Sequence, residues 1–167
     1  MNSVRIVLLI AAAMSTGLAA GTFLLYAHTV MPGLASTDDR TFTASYAALD
    51  RAIVNPIFMV SAFLGALVFT ALAALVCRGT TPLLPALIAL ALYAIAVVIT
   101  VAVHLPLNDA LKQAVAAGDH YDAAAVRQAF HASRWVSWNY VRTATSLGAF
   151  GCLCWALVLH GRATVPA

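Results

Sequence analysis

The side chains best equipped for chemistry lie in the stretch Arg134-Trp135-Val136-Ser137-Trp138-Asn139-Tyr140-Val141-Arg142-Thr143. At about 3.6 residues per turn, Trp135, Asn139 and Arg142 share one face of a helix, with Ser146 a turn further on. Trp135 and Trp138 mark the level where amphipathic indoles meet lipid headgroups. Arg142 lies deeper, where an arginine costs roughly 2.5–3.5 kcal/mol to insert, so it should face protein or trapped water. Another apolar run closes on His104-Leu105-Pro106-Leu107-Asn108, adding an imidazole and a second amide. An imidazole can take a proton, and a fixed cation with amide donors can hold the anion left behind. Arg142, His104, Asn139 and Asn108 are therefore the candidate catalytic residues. The plainer alternative is that Arg142 and the asparagines only lock helix ends together, with Asp109 or Asp50 as counter-ion.

These residues need a scaffold, and composition names its class. The chain is 63% hydrophobic and 9% charged over 167 residues, with a mean hydropathy of +0.92. A soluble domain of this size could not hide so much apolar surface, so the class is integral membrane protein. No Asp, Glu, Lys or Arg interrupts Ile6–Thr37, Ala52–Cys77, Gly79–Asn108 or Thr143–Gly161. Each stretch is near the roughly 20 residues that cross a bilayer. The prediction is an all-α, four-helix membrane bundle in one domain (1–167), with spans at about 6–30, 54–77, 82–104 and 138–160.

The basic residues are scattered, without runs or aromatic interleaving, which argues against nucleic acid as a partner. Cys77, Cys152 and Cys154 form no CxxC pair and read as small thiols packed between helices. Gly17 and Gly21 form a GxxxG pair, which permits close helix approach.

Two polar excursions join the spans. Pro32-Gly33 is expected to end the first helix. After it, Phe42, Tyr46, Leu49 and Ile53 recur at helical spacing, with Asp38 and Asp39 near the N-terminus. That pattern predicts a short amphipathic helix, lying on the bilayer or forming a lid over the bundle mouth. Asn55-Pro56 should cap and open the second span. Arg78-Gly79-Thr80-Thr81-Pro82 is a tight turn, and the third span is expected to stop at His104. From Asp122 to His160 one unbroken helix would run about 58 Å, so the span is expected to project well out of the membrane or to bend near Ala132-Ser133.

Alternating spans bring Asn55, His104, Asn108, Asn139 and Arg142 to one membrane face. The two halves also resemble each other: a span closing on a proline, an excursion, then re-entry through Arg51 and Asn55 or Arg134 and Asn139. The opposite face offers only Arg5, Arg78 and Arg162. A multi-pass protein of the plasma membrane is expected, and the density of basic residues at the short-ended face favours both termini in the cytoplasm.

Met31-Pro32-Gly33-Leu34, Asn55-Pro56-Ile57-Phe58, Pro106-Leu107-Asn108 and Trp135-x-x-Trp138-Asn139-x-x-Arg142-Thr143, in this order among four spans, resemble the anthrone-oxygenase family of small membrane proteins. The resemblance implies a membrane-embedded oxygenase that converts anthrones to anthraquinones without a cofactor. The ligand would then be a flat hydrophobic aromatic molecule. Trp135, Trp138, Asn55, Pro106 and Met31 are its candidate contacts, and His104 its candidate base.

Three further readings stay open. The bundle could bind a hydrophobic molecule or a partner protein without catalysis. His28 and Met31 at i, i+3, with His104, would suit copper or haem. A transport pathway has little room among four spans unless they form a homo-oligomer, and no span carries an acidic relay.

Overall fold

The computed structural model describes residues 2–118 and 120–163. Among the described residues, four helices are long and apolar enough to cross a membrane: Ser3–Ala35, Pro56–Val76, Leu83–Ala116 and Ala123–Arg162. The four-span reading holds, but the first, third and fourth helices outrun their expected lengths.

In three spans the reason for the irregularity is the same. The first is helix α1 (Asn2–Leu25), a π-helical turn at Tyr26–Val30, and α2 (Met31–Ala35). After the lid helix α3 (Asp39–Ile53), the second span is α4 (Pro56–Phe58), a π-turn at Met59–Phe63, and α5 (Leu64–Val76). The third is α6 (Leu83–Ile99), a π-turn at Thr100–His104, and α7 (Leu105–Ala116). In each turn a backbone N–H reaches five residues back: Met31 to Tyr26, Leu64 to Met59, Leu105 to Thr100.

Neither Pro32 nor Pro106 ends its helix, contrary to expectation. Proline lacks an N–H and its ring crowds the carbonyl four residues earlier. Widening the preceding turn removes that conflict and lets the helix continue. Pro32 and Pro106 each stand two residues past a π-turn, and in the second span the same place is held by Gly65. A Cβ there would lie 1.8 Å from the Val60 carbonyl oxygen, so only glycine fits.

The fourth span breaks slightly before the expected bend. Helix α8 (Ala123–Ala129) ends at Phe130, and His131 adopts a left-handed φ of 49° before α9 (Ala132–Arg162) begins. The tight turn between the second and third spans has Gly79 at φ 71°.

An alanine-rich core joins the spans, with Ala12, Ala66, Ala89, Ala149 and Ala156 fully buried alongside Leu9, Tyr93 and Leu153. Small side chains let the helices approach closely, which substitutes for hydrophobic driving force inside lipid. Gly17 contributes, facing Phe150 of α9, whereas Gly21 meets nothing. Tyr93 donates its hydroxyl to the Phe63 carbonyl at 3.0 Å, tying α6 to the widened turn of the second span.

Helix α3 packs as a lid on the bundle, with its inner face buried against the protein. Asp38 caps it, accepting from the Arg40 and Thr41 amides, as its position near the N-terminus implied. Phe42, Tyr46 and Ala47 are buried with Met31, Leu111, Phe130 and Trp135. Ring contacts of Tyr46 with Phe130 (4.6 Å) and Trp135 (5.9 Å, edge-on) each contribute about 0.5–1.5 kcal/mol beyond burial. Leu49 turns outward, and Asp50 takes its place on the inner face. Arg127 of α8 fixes the near end of the lid, donating to the Thr37 and Ala35 carbonyls and to Asp39.

Candidate functional site

Trp135, Asn139, Arg142 and Ser146 all face inward, as their helical register required. Arg142 is 7% exposed. Its Nε donates to Asn139 Oδ1 at 2.7 Å and its Nη1 to Thr100 Oγ1 of the third span at 3.3 Å. The guanidinium lies 4.0 Å from the Phe23 ring centroid and 5.5 Å from that of Trp135. Asn139 donates in turn to the Phe23 carbonyl at 2.8 Å, so the first span holds the same group twice.

Neither expected counter-ion, Asp109 or Asp50, pairs with Arg142. Asn108, Asp109, Asn55 and Asp50 make no hydrogen bond to it, and no carboxylate pairs with it among the described residues. Magnitudes explain why it is nonetheless stable. Hydrogen bonds from a charged group contribute about 1.5–3 kcal/mol each, and a desolvated cation–π contact about 2. Together they offset the insertion cost without a counter-ion, and Nη2 is left with no acceptor among the described residues.

Asn108 is the hub of a second network. Its Oδ1 accepts from Tyr46 Oη (2.8 Å) and Trp135 Nε1 (3.0 Å), while its Nδ2 donates to Asp50 Oδ1 (2.6 Å). Lys112 Nζ closes on Asp50 Oδ2 at 2.8 Å and on Asp109 Oδ1 at 3.0 Å. Burial holds the Tyr46 phenol well above its ordinary value, so it remains a donor.

Between these networks lies a cavity of about 190 Å³. Arg142, Trp135, Thr100, His104 and Asn108 line it, together with Phe23, Tyr26, Tyr46 and Asp50. All three π-turns contribute to the wall, through Tyr26, Met59 and Phe63, and Thr100 and His104. Such turns re-aim side chains and widen a helix locally, and they recur at functional sites. Val54, Val101 and Leu105 line the cavity and are also exposed on the apolar exterior. The cavity therefore opens sideways, between the start of the second span and the end of the third.

His104 is placed at the cavity but turned from it. Its Nε2 faces the Trp135 carbonyl at 3.3 Å; a carbonyl only accepts, so Nε2 carries the proton. Nδ1, the basic nitrogen, is enclosed without a partner among the described residues.

The candidate ligand contacts divide. Trp135 lines the cavity; Trp138 is 41% exposed on the outer surface, because three residues rotate it to the edge of the inward stripe. Asn55 spends its side chain capping α4, accepting from the Phe58 amide and donating to the Ala52 carbonyl. Pro106 faces outward, and Met31 packs under the lid rather than in the cavity. His28 is exposed and does not join Met31 or His104 in one site. Among the described residues no three His, Cys, Asp or Glu side chains cluster to hold a metal. The likeness of the two halves holds for the π-turn and proline carried by the first span of each, but not for Asn55 and Asn139, one a cap and the other a buried mid-helix amide.

Asp50, Tyr46, Tyr26, Thr100 and Phe23 complete the wall, and the candidate set from sequence omitted them. A signal existed for one: Asp50 follows Tyr46 by four residues, hence shares its face.

Searches of curated proteins and of solved structures return no match. A family model described as anthrone oxygenase matches residues 42–152, from within the lid helix into the last span, leaving Met31-Pro32-Gly33-Leu34 outside the match. That stretch is well over half of the chain and holds most of the cavity wall, and on it the chain belongs to the anthrone-oxygenase family.

Proposed function

We propose that this protein oxygenates a flat polycyclic hydroxyaromatic of the anthrone type inside the membrane, without a cofactor. An anthrone is a greasy carbon acid that dissolves in lipid, and the side opening at Val54, Val101 and Leu105 suits access from the bilayer. Once its methylene loses a proton, the electron-rich enolate can itself reduce molecular oxygen. The overall change is anthrone plus O2 to anthraquinone plus water.

The observation that carries this reading is Arg142: a buried cation at an apolar cavity, with no carboxylate partner and an unused Nη2 among the described residues. A cation so placed stabilises an enolate oxygen and the negative charge that develops as oxygen adds. The Tyr26 hydroxyl also has no protein partner among the described residues and stands on the same wall. Trp135 offers a rigid face to the ring system. Placement of both termini on the cytoplasmic side of the plasma membrane belongs to the same proposal, supported by Arg5, Arg78 and Arg162 at the short-looped face.

The test uses purified protein in lipid nanodiscs, with oxygen uptake and quinone absorbance recorded after adding anthrone. Wild type should accelerate the reaction, and Arg142→Lys should remain folded but lose about 10²–10³-fold in rate, since lysine keeps the charge without the planar fork. If Arg142→Lys only lowers the melting temperature while turnover persists, the cluster is structural and the reading fails.

A further inference from the structure

Among the described residues the cavity wall holds one acidic side chain, Asp50, and its ion-pair partner Lys112 leads away from the cavity to the more exposed Asp109. Its carboxylate sits on the inner face of the lid, pinned from one side by Asn108 at 2.6 Å and from the other by Lys112 at 2.8 Å. Each carboxylate oxygen has two lone pairs, and each of these contacts uses one. A further proton can therefore be accepted without breaking the existing geometry. Side-chain exposure rises outward along the chain of contacts, from 11% at Asp50 to 23% at Lys112 and 54% at Asp109. The competing base is shut off, because His104 spends its donor nitrogen on the Trp135 carbonyl and keeps its basic nitrogen enclosed.

We infer that Asp50 is the catalytic proton acceptor, facing Arg142 across the substrate, and that Lys112 and Asp109 pass the proton on to water. The inference rests on the oxygenase reading given above. In the first step the C–H bond of the substrate methylene breaks; its proton goes to the Asp50 carboxylate and its electron pair into the ring system as enolate. Molecular oxygen then takes two electrons from the enolate in forming a C–O bond, giving a peroxide anion at that carbon. Loss of the second proton from the same carbon drives cleavage of the O–O bond and makes the second carbonyl. The peroxide anion takes up one of the two released protons, so that its outer oxygen departs as hydroxide, and the hydroxide and the other proton make water. Lys112 hands a proton outward to Asp109 or solvent and takes one from Asp50, restoring the base.

The division of labour follows from placement. Arg142, held by the first, third and fourth spans, stabilises charge at the substrate oxygen. Asp50, carried by the lid, removes the proton. A lid that bears the base leaves the site incomplete until α3 is seated.

The experiment compares Asp50→Asn, Asp50→Glu and Asp50→Ala in nanodiscs, with anthrone and with anthrone dideuterated at the methylene. Asp50→Asn keeps the size but replaces one of two accepting oxygens with a donor, so folding is checked by melting temperature while oxygen uptake falls roughly 10²–10⁴-fold. Its deuterium isotope effect should rise above that of wild type, because C–H cleavage becomes the slow step. Formate added to Asp50→Ala should restore part of the lost rate by replacing the missing carboxylate, and Asp50→Glu should retain more activity than Asp50→Asn. An Asp50→Asn variant within threefold of wild type, or one slowed with an unchanged isotope effect and an Asp50→Ala variant deaf to formate, overturns the assignment. In either case an active wild type leaves the oxygenase reading standing. A wild type inert towards anthrone removes both.

Discussion

The carbonyl oxygen of Val60 occupies the space that a side chain on Gly65 would need, 1.8 Å from the ideal Cβ position. The contact exists because the second span widens at Met59–Phe63, and two wall residues, Met59 and Phe63, depend on that widening for their aim. Gly65→Ala should force the backbone to move rather than a side chain to yield. We expect a loss of about 1–3 kcal/mol, typical of local backbone strain, and a cavity too distorted to turn over anthrone. Thermal melting in detergent, read beside oxygen uptake, checks both. A Gly65→Ala variant with wild-type melting and activity would mean that the widened turn is not required.

Two tryptophans three residues apart should behave oppositely. Trp135 is buried against Tyr26, Tyr46, His104 and Phe130 and donates to Asn108, so Trp135→Ala removes a wall, four ring contacts and a hydrogen bond. Losses of about 3–5 kcal/mol are usual for such truncations, and activity should vanish with them. Trp138→Ala, on the outer surface, should leave turnover within about twofold and change stability by about 0.5 kcal/mol or less. Comparable losses of activity in both variants would place Trp138 at the substrate after all.

That contrast shows how far the residue pattern reaches. Periodicity placed Trp135, Asn139, Arg142 and Ser146 on one buried face, because α9 is a regular helix from Ala132 onwards. Alternation of spans correctly brought Asn108 and His104 to the same end. Periodicity could not reveal the three π-turns, since each inserts one residue and changes register within the span. Pro32 and Pro106 consequently read as stops when they are through-points. Asp50 was hidden by a different ambiguity: Leu49 and Asp50 compete for the inner face of the lid, and the apolar residue was the natural choice. Hydrogen bonding to Asn108 and Lys112 settles it for the acid.

Acid should loosen the lid at its start. Asp38 accepts from the Thr41 hydroxyl and from the Arg40 and Thr41 amides, and these bonds hold its carboxyl below the usual value. A depressed folded-state value means the stabilisation is present above the ordinary Asp range, about 3.9, and is lost as pH falls through the lower folded value. Wild type should therefore show fraying of the first turn of α3 as pH falls below about 4, whereas Asp38→Asn should lose that part of the response because an amide cannot titrate, leaving only what Asp39 and Asp50 contribute. Tryptophan fluorescence of Trp135 beneath the lid, followed from neutral pH to pH 3, would register the difference. Identical titrations for the two proteins would refute the capping account.

A π-turn stores one residue more than an α-helix of the same rise, so each of three spans carries a surplus amino acid at the level of the cavity. In genetic terms, losing a single in-frame codon from any of these turns would leave an unbroken and equally hydrophobic helix. Its insertion into a membrane would look normal, and no cavity side chain need be altered. Yet one half of the helix would be rotated by about 100° against the other, turning core residues towards lipid on one side of the turn or wall residues away from the substrate on the other. The working shape of this small protein is thus encoded partly in the phase of its spans, a property that a count of its substitutions would miss.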